Sequence, residues 1–137
     1  MKRILLIVVV FLLAQTVVRA ISDEASYKQT LGAIRNSYTS MFPFYRKLYD
    51  CTEYSATLQD IKYEILGREN QKCHVKMGSD NCYFPMDIAK QYSTISEKSA
   101  RQKINQIDSQ KSFYFSTDEP ASQIINNFHN QYCKIEW

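Results

Sequence analysis

Hydrophobic positions along this chain follow a helical period, then a period of two, then a helical period again. After an unbroken apolar run from Ile4 to Ala14, the residues Tyr27, Leu31, Ile34, Tyr38 and Met41 recur at steps of four and three. That spacing predicts one face of an amphipathic helix. Ser22 reads as its N-cap, with Asp23 and Glu24 placed to favour the positive end of the helix dipole. Pro43 interrupts the backbone ladder and biases Phe42 away from helical geometry, so a kink or a fresh helix start is expected there, with Phe44, Leu48 and Cys51 continuing the step.

The period then drops to two. Ile61, Tyr63 and Ile65 alternate with Lys62 and Glu64, and Cys73, Val75 and Met77 alternate with His74 and Lys76. Each set predicts a half-buried strand. Turn chemistry at residues 67–70 and 78–81 separates these strands from each other and from Cys82, Tyr83 and Phe84, giving an antiparallel meander. Pro85 then suits a first helical turn, and Ile88, Ala89, Tyr92, Ile95, Ile104 and Ile107 form the next apolar stripe. Glu97 and Arg101 stand four apart on it, in the favourable order for a surface ion pair. Phe113, Tyr114 and Phe115 add a fourth strand or plug the core. Ser116 and Glu119 have capping-box spacing before Pro120, and Ala121, Ile124, Ile125, Phe128 and Tyr132 form the buried stripe of a last helix.

The expected fold is therefore α+β: an N-terminal helix, a small antiparallel meander of three to four strands, two C-terminal helices and two disulfides. Lys2 and Arg3 before the apolar run, and Val18, Arg19 and Ala20 after it, mark residues 1–20 as a signal peptide cleaved after Ala20. The run is too short to span a bilayer, so membrane attachment is expected only if the leader stays uncleaved. Residues 21–137 then form a single disulfide-bonded domain, exported to the periplasm or secreted. Removal of the leader takes three basic residues and no acidic one, leaving fourteen of each sign. The net charge of +3 belongs to the leader, and nucleic acid is not an expected partner.

All four cysteines, Cys51, Cys73, Cys82 and Cys133, lie in the exported part. An even count in an oxidising compartment predicts two disulfides. The expected pairing is Cys73 with Cys82 across the second hairpin, and Cys51 with Cys133 from the start of the sheet to the last helix. No Cys-x-x-Cys pair occurs and there are only two histidines, so neither metal nor cofactor is expected.

Cys51-Thr52-Glu53-Tyr54, then Gly67-Arg68-Glu69-Asn70-Gln71-Lys72-Cys73, then Cys82-Tyr83-Phe84-Pro85 together resemble a family of small uncharacterised exported bacterial proteins. That family carries Cys-Thr-x-Tyr after an N-terminal helix and Gly-x-x-Asn-x-Lys-Cys before a second cysteine pair. The resemblance covers about a third of the exported chain and implies a shared scaffold and an envelope location. It implies no activity.

No nucleophile elbow, metalloprotease helix or phosphate-binding glycine loop is present, and the chain has only three glycines. With all cysteines paired no thiolate remains, so no catalytic residue is expected. His74 on the charged face of a strand, or His129 on the last helix, would serve a small hydrolase only beside a carboxylate such as Glu53, Glu64 or Glu119. The expected function is a non-enzymatic binding or interaction module whose partner is an envelope protein or small ligand. A structural, self-associating envelope component is the alternative. Phe42, Phe44 and Tyr45 are either core at a helix kink or an exposed ledge; with Tyr83, Phe84 and Trp137 they make up the candidate interaction surface.

Overall fold

The computed structural model describes residues 2–109 and 120–136, with side chains described at Gln15, Arg19 and from Asp23 onward. Expectations for Phe113 to Phe115, for the Ser116–Glu119 capping box and for Trp137 lie outside the described residues. By backbone packing the chain divides into two compact units, Met1–Ile34 and Arg35–Trp137. Helix α1 spans Lys2–Ser40. Ser22 is thus interior to a helix, not at its start, because no proline or glycine between Ile4 and Gly32 breaks the ladder. Within the first unit residues 23–30 are all exposed, Tyr27 of the expected stripe among them. The sheet lies in the second unit, Arg35–Trp137. Among the described residues no helix is long and apolar enough to cross a membrane.

In the second unit the second of the two outcomes expected at Pro43, a fresh helix start, is the one found: α2 (Phe42–Asp50), with Pro43 in its first turn. It ends on Cys51 in the left-handed conformation, φ 54° and ψ 44°. The N–H groups of Cys51 and Thr52 donate back to the carbonyls of Leu48 and Lys47 at 3.1 and 2.9 Å, a Schellman-type close. The strands follow: β1 (Tyr54–Leu58), β2 (Ile61–Glu69), β3 (Lys72–Met77) and β4 (Asp80–Pro85). Helices α3 (Met86–Asp108) and α4 (Pro120–Tyr132) come next, and β5 (Cys133–Ile135) closes the sheet. All five strands pair antiparallel in chain order.

Three two-residue loops set the register. Gln59 and Asp60 (φ 51° and 63°) and Asn70 and Gln71 (φ 49° and 64°) both take positive φ, the type I′ pattern whose twist matches flanking strands. Gly78 opens the third loop at φ 59°. The expected turn at residues 67–70 is therefore confined to Asn70 and Gln71, and Gly67 instead sits inside β2. There the pairing slips: Ile65 faces Val75, but Gly67 faces His74. This bulge, with Gly67 at φ 96°, inverts the alternation of β2. Strict alternation from Ile65 would send Glu69 to the core side; the bulge turns it outward, opposite Lys72.

One face of the sheet is buried under α2, α3 and α4. Phe44, Leu48, Ile65, Cys73, Val75, Cys82, Phe84 and Ala89 have essentially no exposed surface. Phe44 meets Tyr63 edge-on at 5.3 Å and Phe84 meets Tyr92 at 5.3 Å, so aromatic rings tie both helices to the strands. At α4, Ile125, Phe128 and Tyr132 pack on the core, while Ile124 of the expected stripe is exposed.

Both disulfides form, with partners other than those expected: Cys51 bonds Cys73 and Cys82 bonds Cys133. Cys73 and Cys82 share the core face but are out of register, since Cys73 faces Phe84 and Cys82 faces Val75. Cys82 directly faces Cys133. The Glu136 N–H donates to the Ser79 carbonyl at 2.9 Å, which makes Cys82 and Cys133 a non-hydrogen-bonded pair, the closer kind, at 4.0 Å between Cα atoms.

Candidate functional site

The alternation that buries one face of the sheet leaves the other open and polar. Its centre is His74, with Tyr83 opposite it on β4 and side-chain-free Gly67 opposite it on β2. The two rings stack with centroids 4.2 Å apart and planes 18° apart. Because of the bulge, Glu69 reaches the same face, and its Oε2 lies 3.2 Å from His74 Nδ1. Asn81 Oδ1 lies 2.6 Å from His74 Nε2, while Asn81 Nδ2 donates to Glu136 Oε1 at 2.5 Å. A carboxylate only accepts, so Glu136 fixes the Asn81 amide with its oxygen towards the imidazole. Both ring nitrogens then face oxygen acceptors, and the network is complete when both carry a proton. His74 is thus beside Glu69, a carboxylate not among the three named for it from the sequence, and its side chain is 13% exposed.

Beyond the short β5 the sheet edge opens into a cleft of about 610 Å³. Tyr83, Asn81 and Glu69 line it from the sheet, and Asn130, Gln131 and Tyr132 from the end of α4. Cys133 also lines it. The wall is rich in amides, groups that both donate and accept, with two tyrosine rings as apolar surface.

A second histidine cluster lies on the core side of the same strands. Asp80 Oδ2 is 3.3 Å from His129 Nδ1, and the Tyr92 hydroxyl is 3.0 Å from His129 Nε2. Met77 Sδ lies 3.7 Å from the same hydroxyl. In a neutral ring Tyr92 donates to Nε2; in a charged ring Nε2–H donates to Tyr92, whose proton turns to the Met77 sulfur. Burial pushes the Tyr92 phenol well above its ordinary pKa, with smaller contributions from Tyr45, Tyr63 and Asp80. One nitrogen of His129 and the sulfurs of Cys82 and Cys133 all lie within 4.8 Å of one another. The sulfurs are bonded to each other, which removes the thiolates that a soft metal would require.

The expected interaction surface is redistributed. Phe44 and Phe84 are fully buried and form core, because the sheet's covered face takes both. Phe42 is half-buried under the Arg101 guanidinium, 4.6 Å from its ring, and Arg101 pairs with Glu97 at 2.6 Å. Tyr45 is half-buried, its carbonyl accepting the Ser93 hydroxyl at 2.5 Å, and its phenol is pushed up to about 12 by burial and by the neighbouring Tyr63 and Tyr38. Of these three, only Phe44 is withdrawn entirely from solvent. Tyr83 is exposed. Set against protein-family models, curated proteins and solved structures, the chain matches no family model, no curated protein and no solved structure.

Proposed function

We propose that this chain is an exported, disulfide-stabilised binding module of the cell envelope, periplasmic or secreted, whose ligand seats in the cleft beyond β5. Residues 1–20 direct export and are removed after Ala20. The module holds its partner, an envelope protein or small ligand, without transforming it. One observation carries the reading: Tyr83, exposed and braced by His74, lines a cleft of ligand size walled by amide side chains. The two disulfides support an oxidising destination.

The test places a photo-crosslinking residue at Lys134, on the cleft wall, in the chain spanning residues 21–137 and exposes it to envelope extract. A specific adduct should form that excess unlabelled protein suppresses and excess Tyr83→Ala protein does not. Equal suppression by both would move the binding site away from the cleft.

Self-association has its own supporting observation, at the opposite edge of the sheet. Strand β5 is protected by its shortness and by Lys134, whereas β1 has five residues, Tyr-Ser-Ala-Thr-Leu, with no charge and no proline. Two copies pairing antiparallel about Ala56 would set Tyr54 against Leu58 and Ser55 against Thr57. Sedimentation equilibrium tests this: a dimer abolished by Thr57→Lys supports it, and a monomer at every concentration overturns it.

A further inference from the structure

The two disulfides sit in opposite surroundings. Cys51 and Cys73 are both buried in the core. Cys82 is fully buried as well, but Cys133 is only half-buried and forms part of the cleft wall. A nitrogen of His129 lies within 4.8 Å of both sulfurs of this second pair, and Asp80 holds the same ring 3.3 Å away on β4. Cys133 thus keeps exposed surface at the cleft wall, Cys82 keeps none, and a histidine stands beside both sulfurs.

We propose that Cys82–Cys133 is an exchangeable disulfide, opened by a low-molecular-weight thiol that enters the cleft and attacks Cys133. The thiolate RS⁻ forms a new bond to Cys133 Sγ, the Cys133–Cys82 bond breaks, and its electron pair leaves on Cys82 Sγ. The product is a mixed disulfide at Cys133 and a thiolate at Cys82, which takes its proton from water. A second thiol attacking the mixed disulfide releases RSSR and leaves both cysteines reduced, so two thiols are oxidised for each protein disulfide reduced. Exchange is faster when the leaving sulfur is the more stable anion, and a neighbouring imidazolium stabilises it. His129 stands where a protonated ring would supply that charge, and Asp80 positions the ring. The groups facing His129 are Asp80 from β4, Tyr92 from α3 and the two sulfurs. A cleft of about 610 Å³ has room for a tripeptide-sized thiol. The step requires no ligand in the cleft and does not depend on the binding reading.

The experiment exposes the oxidised protein to glutathione, quenches by alkylation and maps both disulfides by mass spectrometry over time. Cys82–Cys133 should open at least roughly tenfold faster than Cys51–Cys73, with the first glutathione adduct on Cys133. Opening of Cys51–Cys73 first, loss of both together, or an adduct on Cys82 overturns the proposal, and this comparison needs no variant. His129→Gln should then slow opening of Cys82–Cys133 by roughly tenfold and leave Cys51–Cys73 unchanged. The wild-type rate, divided by the thiolate fraction of the glutathione, should fall as the imidazole loses its proton, and the variant's should stay flat. Identical profiles in the two proteins would remove His129 from the step.

Discussion

His74 and Tyr83 lie ring against ring, 4.2 Å apart, on directly paired residues of β3 and β4. The stack occupies the open face of the sheet, so it stabilises the strand pair without entering the core. A cross-strand aromatic pair of this kind contributes up to about 1 kcal/mol relative to alanine. Tyr83→Ala should therefore lower the urea unfolding free energy by no more than about 1 kcal/mol and leave the circular dichroism spectrum unchanged. A loss of several kcal/mol would mean that Tyr83 is a core residue, which would also disqualify it as the wall of a binding cleft.

The disulfides should rank by the loops they close. Cys82–Cys133 spans a separation of 51 residues and Cys51–Cys73 one of 22. Loop-closure entropy then predicts losses of about 4 and about 3 kcal/mol on removing each pair by double Cys→Ser substitution. Urea unfolding of the two double variants checks the order. The longer loop should also matter for topology, since Cys82–Cys133 fastens a three-residue edge strand to β4 and thereby fixes the end of α4.

Much of this arrangement is legible in the alternation of Ile61 to Ile65 and of Cys73 to Met77, because burial of one face imposes a period of two on residue type. Other parts leave weaker traces. Strand β1 hides behind a turn of Gln59 and Asp60, residues that take positive φ less readily than glycine or asparagine. Strand β5 is shorter than any pattern. The bulge at Gly67 inverts the facing of Glu69, so strict counting places that carboxylate away from His74 when it lies beside it. Disulfide pairing depends on a one-to-one register between β4 and a strand fifty residues later, which local spacing cannot encode. The cluster at residues 41–45 shows the same limit: its composition announces packing, but only the covered sheet face decides that Phe44 is core.

That assignment of Phe44 has a direct consequence. Its ring has no exposed surface and contacts Tyr45, Tyr54 and Tyr63 at centroid distances between 5.3 and 6.2 Å. Phe44→Ala should cost about 3 to 5 kcal/mol, the transfer loss plus the cavity left behind. Tyr49, on the same helix but 45% exposed, should tolerate alanine to within about 0.5 kcal/mol. Thermal unfolding of the two variants separates a buried helix face from a docking ledge, because a ledge residue would lose partner capture at nearly unchanged stability.

Alkaline pH should unfold the protein through its buried phenols. Tyr45 is held at about 12 against an ordinary 10.0, chiefly by burial, and Tyr63 and Tyr92 are raised for the same reason. Below the unfolded value both states keep these protons, so stability does not depend on them. Above it the unfolded chain has released protons that the folded chain still holds, the unfolded state binds fewer, and stability falls as pH rises. For Tyr45 the loss runs from about pH 10 to about pH 12 and amounts to on the order of 2 to 3 kcal/mol. Urea unfolding at a series of pH values, read with tyrosinate absorbance, should show delayed ionisation of the buried phenols and a falling midpoint across that window. Tyr45→Phe should flatten part of the fall, because phenylalanine fills the same space with nothing to ionise. A midpoint that stays level to pH 12, or a fall that Tyr45→Phe leaves untouched, would place the alkaline-sensitive group elsewhere.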